Sequence, residues 1–297
     1  MRKFFIFCIL GIFSIFNLFA QEKSQDSTKY WDFGLISTFS YNQTTLKYWT
    51  AGGDNTVMIA GLLNSHLNYK KDNVLWNNTL DLAYGLQKIE NTPFRKNNDK
   101  ILFSSKFGYN IARKKLYIST LFSFQSQFTK GFEYKDNGDS SLISQFMAPA
   151  YLIYSLGLDY KPKDFVSLYV SPLTGKTTIV KNDSLASIGA FGVDTGKTVR
   201  YEFGSYLKLA FDKDITKNIA ITSDITLFSN YLHNPQNIDV NFNFLLSAKL
   251  TKYLSVNFSN QMIYDDDILI VVDADTGRKG KRLQMKNVLG LGFVFKW

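Results

Sequence analysis

From Arg282 to Trp297 the chain alternates residue by residue between two chemistries. Leu283, Met285, Leu289, Leu291, Phe293, Phe295 and Trp297 share one parity, and Arg282, Gln284, Lys286, Gly290, Gly292 and Lys296 share the other. A period of two belongs to extended strands, whose successive side chains point to opposite faces. Residues 238–250 repeat it, with Ile238, Val240, Phe242, Phe244, Leu246 and Leu250 against Asp239, Asn241, Asn243, Ser247 and Lys249. Residues 76–87 do so again, with Trp76, Leu80, Leu82, Tyr84 and Leu86 against Asn77, Thr79, Asp81, Gly85 and Gln87. The apolar parity is rich in aromatic residues, and the polar one in Gly, Ser, Asn and charges of both signs.

Such faces suit a sheet whose outside meets lipid and whose inside is wet. A soluble barrel or sandwich would hide the aromatic face in a core. Beyond Ala20 the chain has no apolar run near the length of a membrane-crossing helix. In a bilayer only helices and closed barrels satisfy every backbone group, which leaves the barrel. The composition agrees: aromatics make up 16% and hydrophobic residues 45%, yet the mean hydropathy is just below zero.

The alternation predicts twelve strands, near 31–46, 57–69, 74–88, 100–111, 116–129, 148–160, 165–180, 199–212, 218–231, 237–250, 254–267 and 282–297. An even number is expected of a single-chain bacterial barrel. Every second connection is a tight turn, such as Lys70–Asn73, Ala112–Lys115 and Lys161–Asp164. The others, including 89–99, 130–147, 181–198 and 268–281, are longer. Short periplasmic turns and long external loops are the outer-membrane arrangement. The expected fold is all-β: a transmembrane antiparallel β-barrel over residues 31–297.

The N-terminus reads as an export signal over residues 1–20. Arg2 and Lys3 precede an apolar stretch that ends in Ala20. A short periplasmic segment, 21–30, then leads to the first strand and is too brief for a plug domain. Cys8 is the one cysteine and lies in the signal, so disulfide and thiol chemistry leave with it. Phe293, Phe295 and the terminal Trp297 form an apolar, aromatic-ended last strand, the signal read by barrel-insertion machinery.

Several local strings stand out: YWTAGGDN at 48–55, APAYL at 148–152, SPLTGK at 171–176, NYLHNPQNIDVN at 230–241 and IYDDD at 263–267. With the barrel pattern, they resemble a family of Bacteroidota outer-membrane proteins known only as a domain of unknown function. The resemblance runs over nearly all of the exported chain. It implies a fold and a compartment, and brings no catalytic residues.

Motifs for chemistry are sparse. Gly175-Lys176-Thr177 and Gly196-Lys197-Thr198 end like phosphate-binding loops, but the Gly required five positions earlier is replaced by Val170 and Phe191. Asp273, Asp275 and Gly277, and the run Asp265, Asp266, Asp267, lack the ligand spacing of a calcium loop and read as solvated rim charge. Only His66 and His233 could serve an acid–base mechanism. His66 falls on the polar, inward parity. His233 lies beside Asn234 near Ser229 at the expected outer rim, a loose constellation for a lipid-modifying hydrolase. No catalytic residue, cofactor or metal is assigned.

The lumen is the richer candidate. Polar-parity charges include Asp32, Asp81, Asp159, Glu202, Asp224 and Asp239, with Lys106, Lys208, Lys249, Arg282 and Lys286. Twelve strands about 4.8 Å apart and tilted about 40° give a backbone radius near 12 Å and a lumen of roughly 10 Å or less. The charges line a narrow hydrophilic channel, or they pair and close a structural or partner-binding barrel. The formal charge is +9, or +7 without Arg2 and Lys3. Solvation at the short turns accounts for the lysines and arginines gathered there, and nucleic acid is not an expected partner of an exported barrel. Outer-membrane lipid, lipopolysaccharide, the insertion machinery and other envelope proteins are.

Overall fold

The computed structural model describes residues 30–47, 54–112, 115–134, 139–266, 270–273 and 278–296. The expected export signal, Tyr48, Trp49, Asp267, Asp275, Gly277 and Trp297 lie outside them.

The sheet is one closed antiparallel barrel of twelve strands. They are β1 (Trp31–Thr44), β2 (Thr56–Lys71), β3 (Val74–Ile89), β4 (Arg95–Ala112), β5 (Leu116–Ser126), β8 (Ala150–Lys163), β9 (Val166–Ile179), β10 (Val199–Asp214), β11 (Ile219–Asn230), β12 (Ile238–Lys249), β13 (Leu254–Tyr264) and β16 (Gln284–Lys296). Each pairs with its neighbour in sequence, and β1 closes on β16 from Ile36↔Lys296 to Ser40↔Gly292. Two hairpins stand apart: β6 (Gly131–Tyr134) with β7 (Ser140–Ser144), and β14 (Ile270–Asp273) with β15 (Arg278–Gly280).

All twelve expected strands are present. The differences lie in the long connections. β4 starts at Arg95, which shortens the 89–99 connection to 90–94. The 130–147 and 268–281 connections hold the two hairpins. The 181–198 connection holds a one-turn helix, α1 (Asp183–Ala186), whose N-cap Asn182 accepts from the Leu185 amide. At the other end the turns are tight. Asp72 and Asn73 alone join Lys71 to its partner Val74, with Asp72 at φ 50°. Positive φ is what a two-residue hairpin turn demands, and Asp tolerates it.

Register fixes which way side chains point. Trp31, Tyr69, Trp76 and Phe107 lie side by side on adjacent strands and face outward. So do Leu209, Ile225, Phe242 and Met262. Many of these outward residues are well exposed, among them Phe33, Leu156, Leu289 and Phe293. The outward charges on the strands, Lys71, Lys88, Lys96, Asp99 and Lys213, lie toward strand ends. Two outward polar pairs lie between them: Trp76 Nε1 donates to Ser105 Oγ at 2.9 Å, and Asn260 Nδ2 to Asn287 Oδ1 at 2.6 Å. Near the short turns Trp31 stacks with Tyr69 (4.9 Å) and Trp76 (6.1 Å). This is the outside of a barrel made for lipid, with an aromatic girdle at the turn end.

Candidate functional site: the lumen

The inward side chains divide the lumen into two unlike walls. On β5, β8, β9, β10 and β11 large side chains pack among small buried ones such as Ser119, Ser155, Ser171 and Thr174. Leu121, Tyr169, Tyr206 and Phe228 form a buried cluster with Ile153 against it. Tyr169 is 1% exposed, and its hydroxyl lies 2.9 Å from Ser155 Oγ and 3.3 Å from the Ser119 carbonyl. A buried phenol needs such partners.

A bulge in β9 makes this packing possible. Pairing jumps past Pro172, between Val170 and Leu173 on the β8 side and between Ser171 and Thr174 on the β10 side. Pro172 has no amide hydrogen to lose, so the bulge suits it. Ser171 Oγ donates to the Leu156 carbonyl at 2.8 Å and accepts from Thr174 Oγ1 at 2.9 Å. The backbone is driven so close to Gly157 that a Cβ there would lie 2.6 Å from Ser171 Cα.

Two ionic clusters lie against the packed wall, each joined by one residue of a flanking strand, Lys106 on β4 and Asp239 on β12. Nearer the short turns, Asp159 is 1% exposed and takes the Lys106 ammonium at 2.6 Å, Lys161 at 3.8 Å and the Ser167 hydroxyl. Nearer the long loops, Lys176 lies 2.8 Å from Asp239 and 3.5 Å from Glu202. Arg200 reaches Glu202 at 3.0 Å, and Asn230 donates to it at 3.4 Å. The 181–198 connection covers this end. Val180, Leu185, Ala186 and Val193 bury an apolar cluster with Ala148, and Arg200 Nη1 donates to the Gly192 carbonyl at 3.1 Å.

The wall from β12 through β13, β16, β1 and β2 to β3 is different. Many of its inward residues are small or polar: Ser40, Ala60, Asn64, Thr79, Asp81, Asn243, Ser259, Gln261, Gly290. Most are half-buried or exposed. A Cβ at Gly290 would meet nothing within 4 Å. The larger inward residues between them, among them Met58, Leu62, Leu245, Ile263 and Lys286, are also half-buried or exposed.

Register places the expected lumen charges as follows. Asp81, Lys106, Asp159, Glu202, Lys208, Asp224, Asp239 and Lys286 sit at inward positions. Lys208 and Asp224 approach to 3.9 Å, and Asn64 donates to Asp81 at 2.8 Å. Lys249 is the last residue of β12 and is exposed. Arg282 precedes β16 and donates to the Lys281 carbonyl, so it belongs to the connection rather than to the strand. Lys176 and Arg200, central to the outer cluster, were not among the expected groups. Neither were Tyr169 and Tyr206.

At the rim, His233 Nε2 is 3.1 Å from Asn234 Nδ2, while Ser229 Oγ donates to the Pro235 carbonyl at 2.6 Å. Ser229 is thus engaged with backbone instead of being presented to His233. His66 points inward and meets Asp32 at 3.2 Å. Asp266 accepts from Tyr264 at 2.9 Å and from Lys281, whose ammonium holds its carboxyl below the usual carboxylate range. Among the described residues no three His, Cys, Asp or Glu side chains gather as metal ligands would. Phe293 faces outward, 55% exposed, and the Phe295 backbone pairs with Ser37.

Comparison with known proteins adds one match at the level of sequence. Residues 41–132 match the family described as "Protein of unknown function (DUF3078)". That stretch runs from late β1 into β6 and holds only the first of the distinctive strings. The resemblance to a domain of unknown function therefore stands on this part, less than the nearly complete length expected. No curated protein matches the chain. Among solved structures, the translocator domain of the autotransporter NalP from Neisseria meningitidis is similar at 10% identity. The alignment covers 91% of this chain and 90% of that one, with a TM-score of 0.40. The COG4313 outer membrane channel from Pseudomonas putida F1 is similar at 9% identity over 93% and 100% of the two chains, with a TM-score of 0.42. Likenesses of this grade say nothing about activity.

Proposed function

We propose that this protein resides in the outer membrane of a Gram-negative bacterium and is a narrow channel for small hydrophilic solutes. The observation that carries the reading is the unfilled wall. From β12 round to β3, inward polar groups such as Thr79, Asn64 and Gln261 keep part of their surface free. A barrel whose role was only structural would gain by packing both walls as it packs β5 to β11. The apolar outward band and aromatic girdle support the membrane, and insertion would run through the machinery that reads the β16 end. Lipid and lipopolysaccharide are the partners of the outer face.

A second reading, a closed barrel that docks other envelope proteins, is favoured by the packed wall and by the loop seated over it. Conductance in a planar bilayer separates the two, once a heat-dependent gel shift shows the barrel folded. Ohmic steps that shrink in Gly290→Trp support the channel, because that side chain would enter open space. A folded but silent barrel removes the channel and leaves the docking reading.

A further inference from the structure

One contact runs across the lumen from the middle of the wet wall. Lys286 on β16 donates to Asn98 Oδ1 on β4 at 2.8 Å. Three strands, β1, β2 and β3, lie between them round the barrel. The section is therefore narrow toward the external end, where Lys286 faces Asn98. Lys100, two residues along β4 from Asn98 and opposite Ala83, is inward as well.

The charges round this bar are not balanced in the way those elsewhere are. Asp159 has Lys106 and Lys161; Glu202 and Asp239 share Lys176 and Arg200; Asp32 has His66; Asp224 has Lys208. Among the described residues, Lys100 and Lys286 have no carboxylate within 4 Å. The inward acid on the neighbouring strand, Asp81, is two residues along β3 from Ala83, toward the short turns, and is held by Asn64. Arg95, at the outer end of β4, faces the Tyr134 ring at 4.0 Å and carries no acid either. Ammonium groups that line one constriction with no carboxylate beside them favour an anion there. Each uncancelled ammonium about 4 Å from the path raises the local anion concentration about fivefold, even at the dielectric of water.

We infer that Lys100, Lys286 and Asn98 form an anion-binding constriction, and that the solutes admitted are small anions bearing a carboxylate or phosphate group. This rests on the channel reading. The amide of Asn98 fixes Lys286 across the lumen, and the two ammonium groups replace part of the anion's hydration.

The test is the reversal potential of the refolded full-length barrel in a tenfold KCl gradient, with inorganic phosphate then added as a blocker. Chloride preference is expected, with phosphate reducing the chloride current. Lys100→Glu with Lys286→Glu should reverse the sign of the potential and abolish the phosphate block. Lys217→Glu, in an exposed turn at the other end, should change neither. Cation preference in the wild type, or selectivity unmoved in the folded double variant, overturns the inference and leaves the channel standing. A silent barrel removes the channel instead. Phosphate binding by calorimetry then decides the site, and equal heats from wild type and the double variant overturn it.

Discussion

The two walls of this lumen are built from the same strand geometry and differ in what points inward. On β5 to β11 the inward positions carry Tyr117, Leu121, Tyr169, Tyr206 and Phe228, all buried. On β12 to β3 they carry Ser259, Gly290, Thr38, Ala60 and Thr79, and much of that surface stays wet. The buried aromatic cluster of Tyr169, Tyr206 and Phe228 is what makes the first wall a core. The packed wall gains from its inner contacts a stability that the wet wall forgoes. It is also the wall that places buried charges, and buried charges survive only as satisfied clusters.

The largest contrast is expected on truncation. Tyr169→Ala removes a fully buried ring and frees the Ser155 hydroxyl and the Ser119 carbonyl, so it should cost about 3–5 kcal/mol, as large aromatic truncations do. Gln261→Ala, on the wet wall, should stay within about 0.5 kcal/mol. Reversible urea unfolding into lipid vesicles measures both. Equal costs would show that the walls do not differ in packing.

The twelve strands and the sense of their faces were legible in sequence because one face of each is so apolar that a one-residue slip would turn it inward. The bulge at Ser171–Pro172 was not. It resets the parity of β9, so that Ser167, Tyr169 and Ser171 point inward before it and Thr174, Lys176 and Thr178 after it. A single parity laid over 165–180 cannot bring Tyr169 and Lys176 into one lumen. Lys176 instead drew notice as the end of a broken phosphate loop, while its true partners, Glu202 and Asp239, are on other strands. Another shift, beside Gly85 and Leu86 where Asn98 and Lys96 pair, obscures the outer end of β4 in the same way. Ordinary alternation does mark Lys100 and Lys286 as inward. That Lys286 reaches Asn98 across the lumen depends on where β16 and β4 stand round the barrel, which no local pattern encodes.

A smaller contrast comes from two inward glycines. At Gly157 a new Cβ would strike the Val170 carbonyl and lie 2.6 Å from Ser171 Cα, both backbone that the bulge holds in place. Gly157→Ala should cost about 1–3 kcal/mol, the range for overpacking. Gly290→Ala enters open space and should leave the unfolding midpoint unchanged within about 0.5 kcal/mol. A tolerated Gly157→Ala would mean that the bulge relaxes, and that the packed wall is looser than its burial suggests.

The smallest effects lie in the loops above each wall, and they separate the walls by a different route. Over the packed wall, Lys197 donates to Asp194 at 2.8 Å within a connection already closed by Val180, Leu185, Ala186 and Val193. That hydrogen bond holds the Asp194 carboxyl below its usual range and lifts the Lys197 ammonium above its own. A lowered carboxyl contributes only above the ordinary Asp value and is lost as pH falls through the lowered one. A raised ammonium contributes below the ordinary Lys value and is lost as pH climbs through the raised one. Both groups are fully exposed, so Lys197→Ala should return Asp194 to its ordinary titration, seen by carboxyl NMR, with amide exchange of 181–198 unchanged. On the other side, Lys281 pairs with Asp266 and ties the start of a connection to its end, across the β14–β15 hairpin. The same sign holds for Asp266. Here the tie closes the loop itself, so Lys281→Ala should speed amide exchange in 270–280. The acceleration should vanish in acid, where protonated Asp266 no longer holds the wild-type loop. If Lys197→Ala loosened its loop as much as Lys281→Ala, the apolar cluster would not be what seats the 181–198 connection over the packed wall.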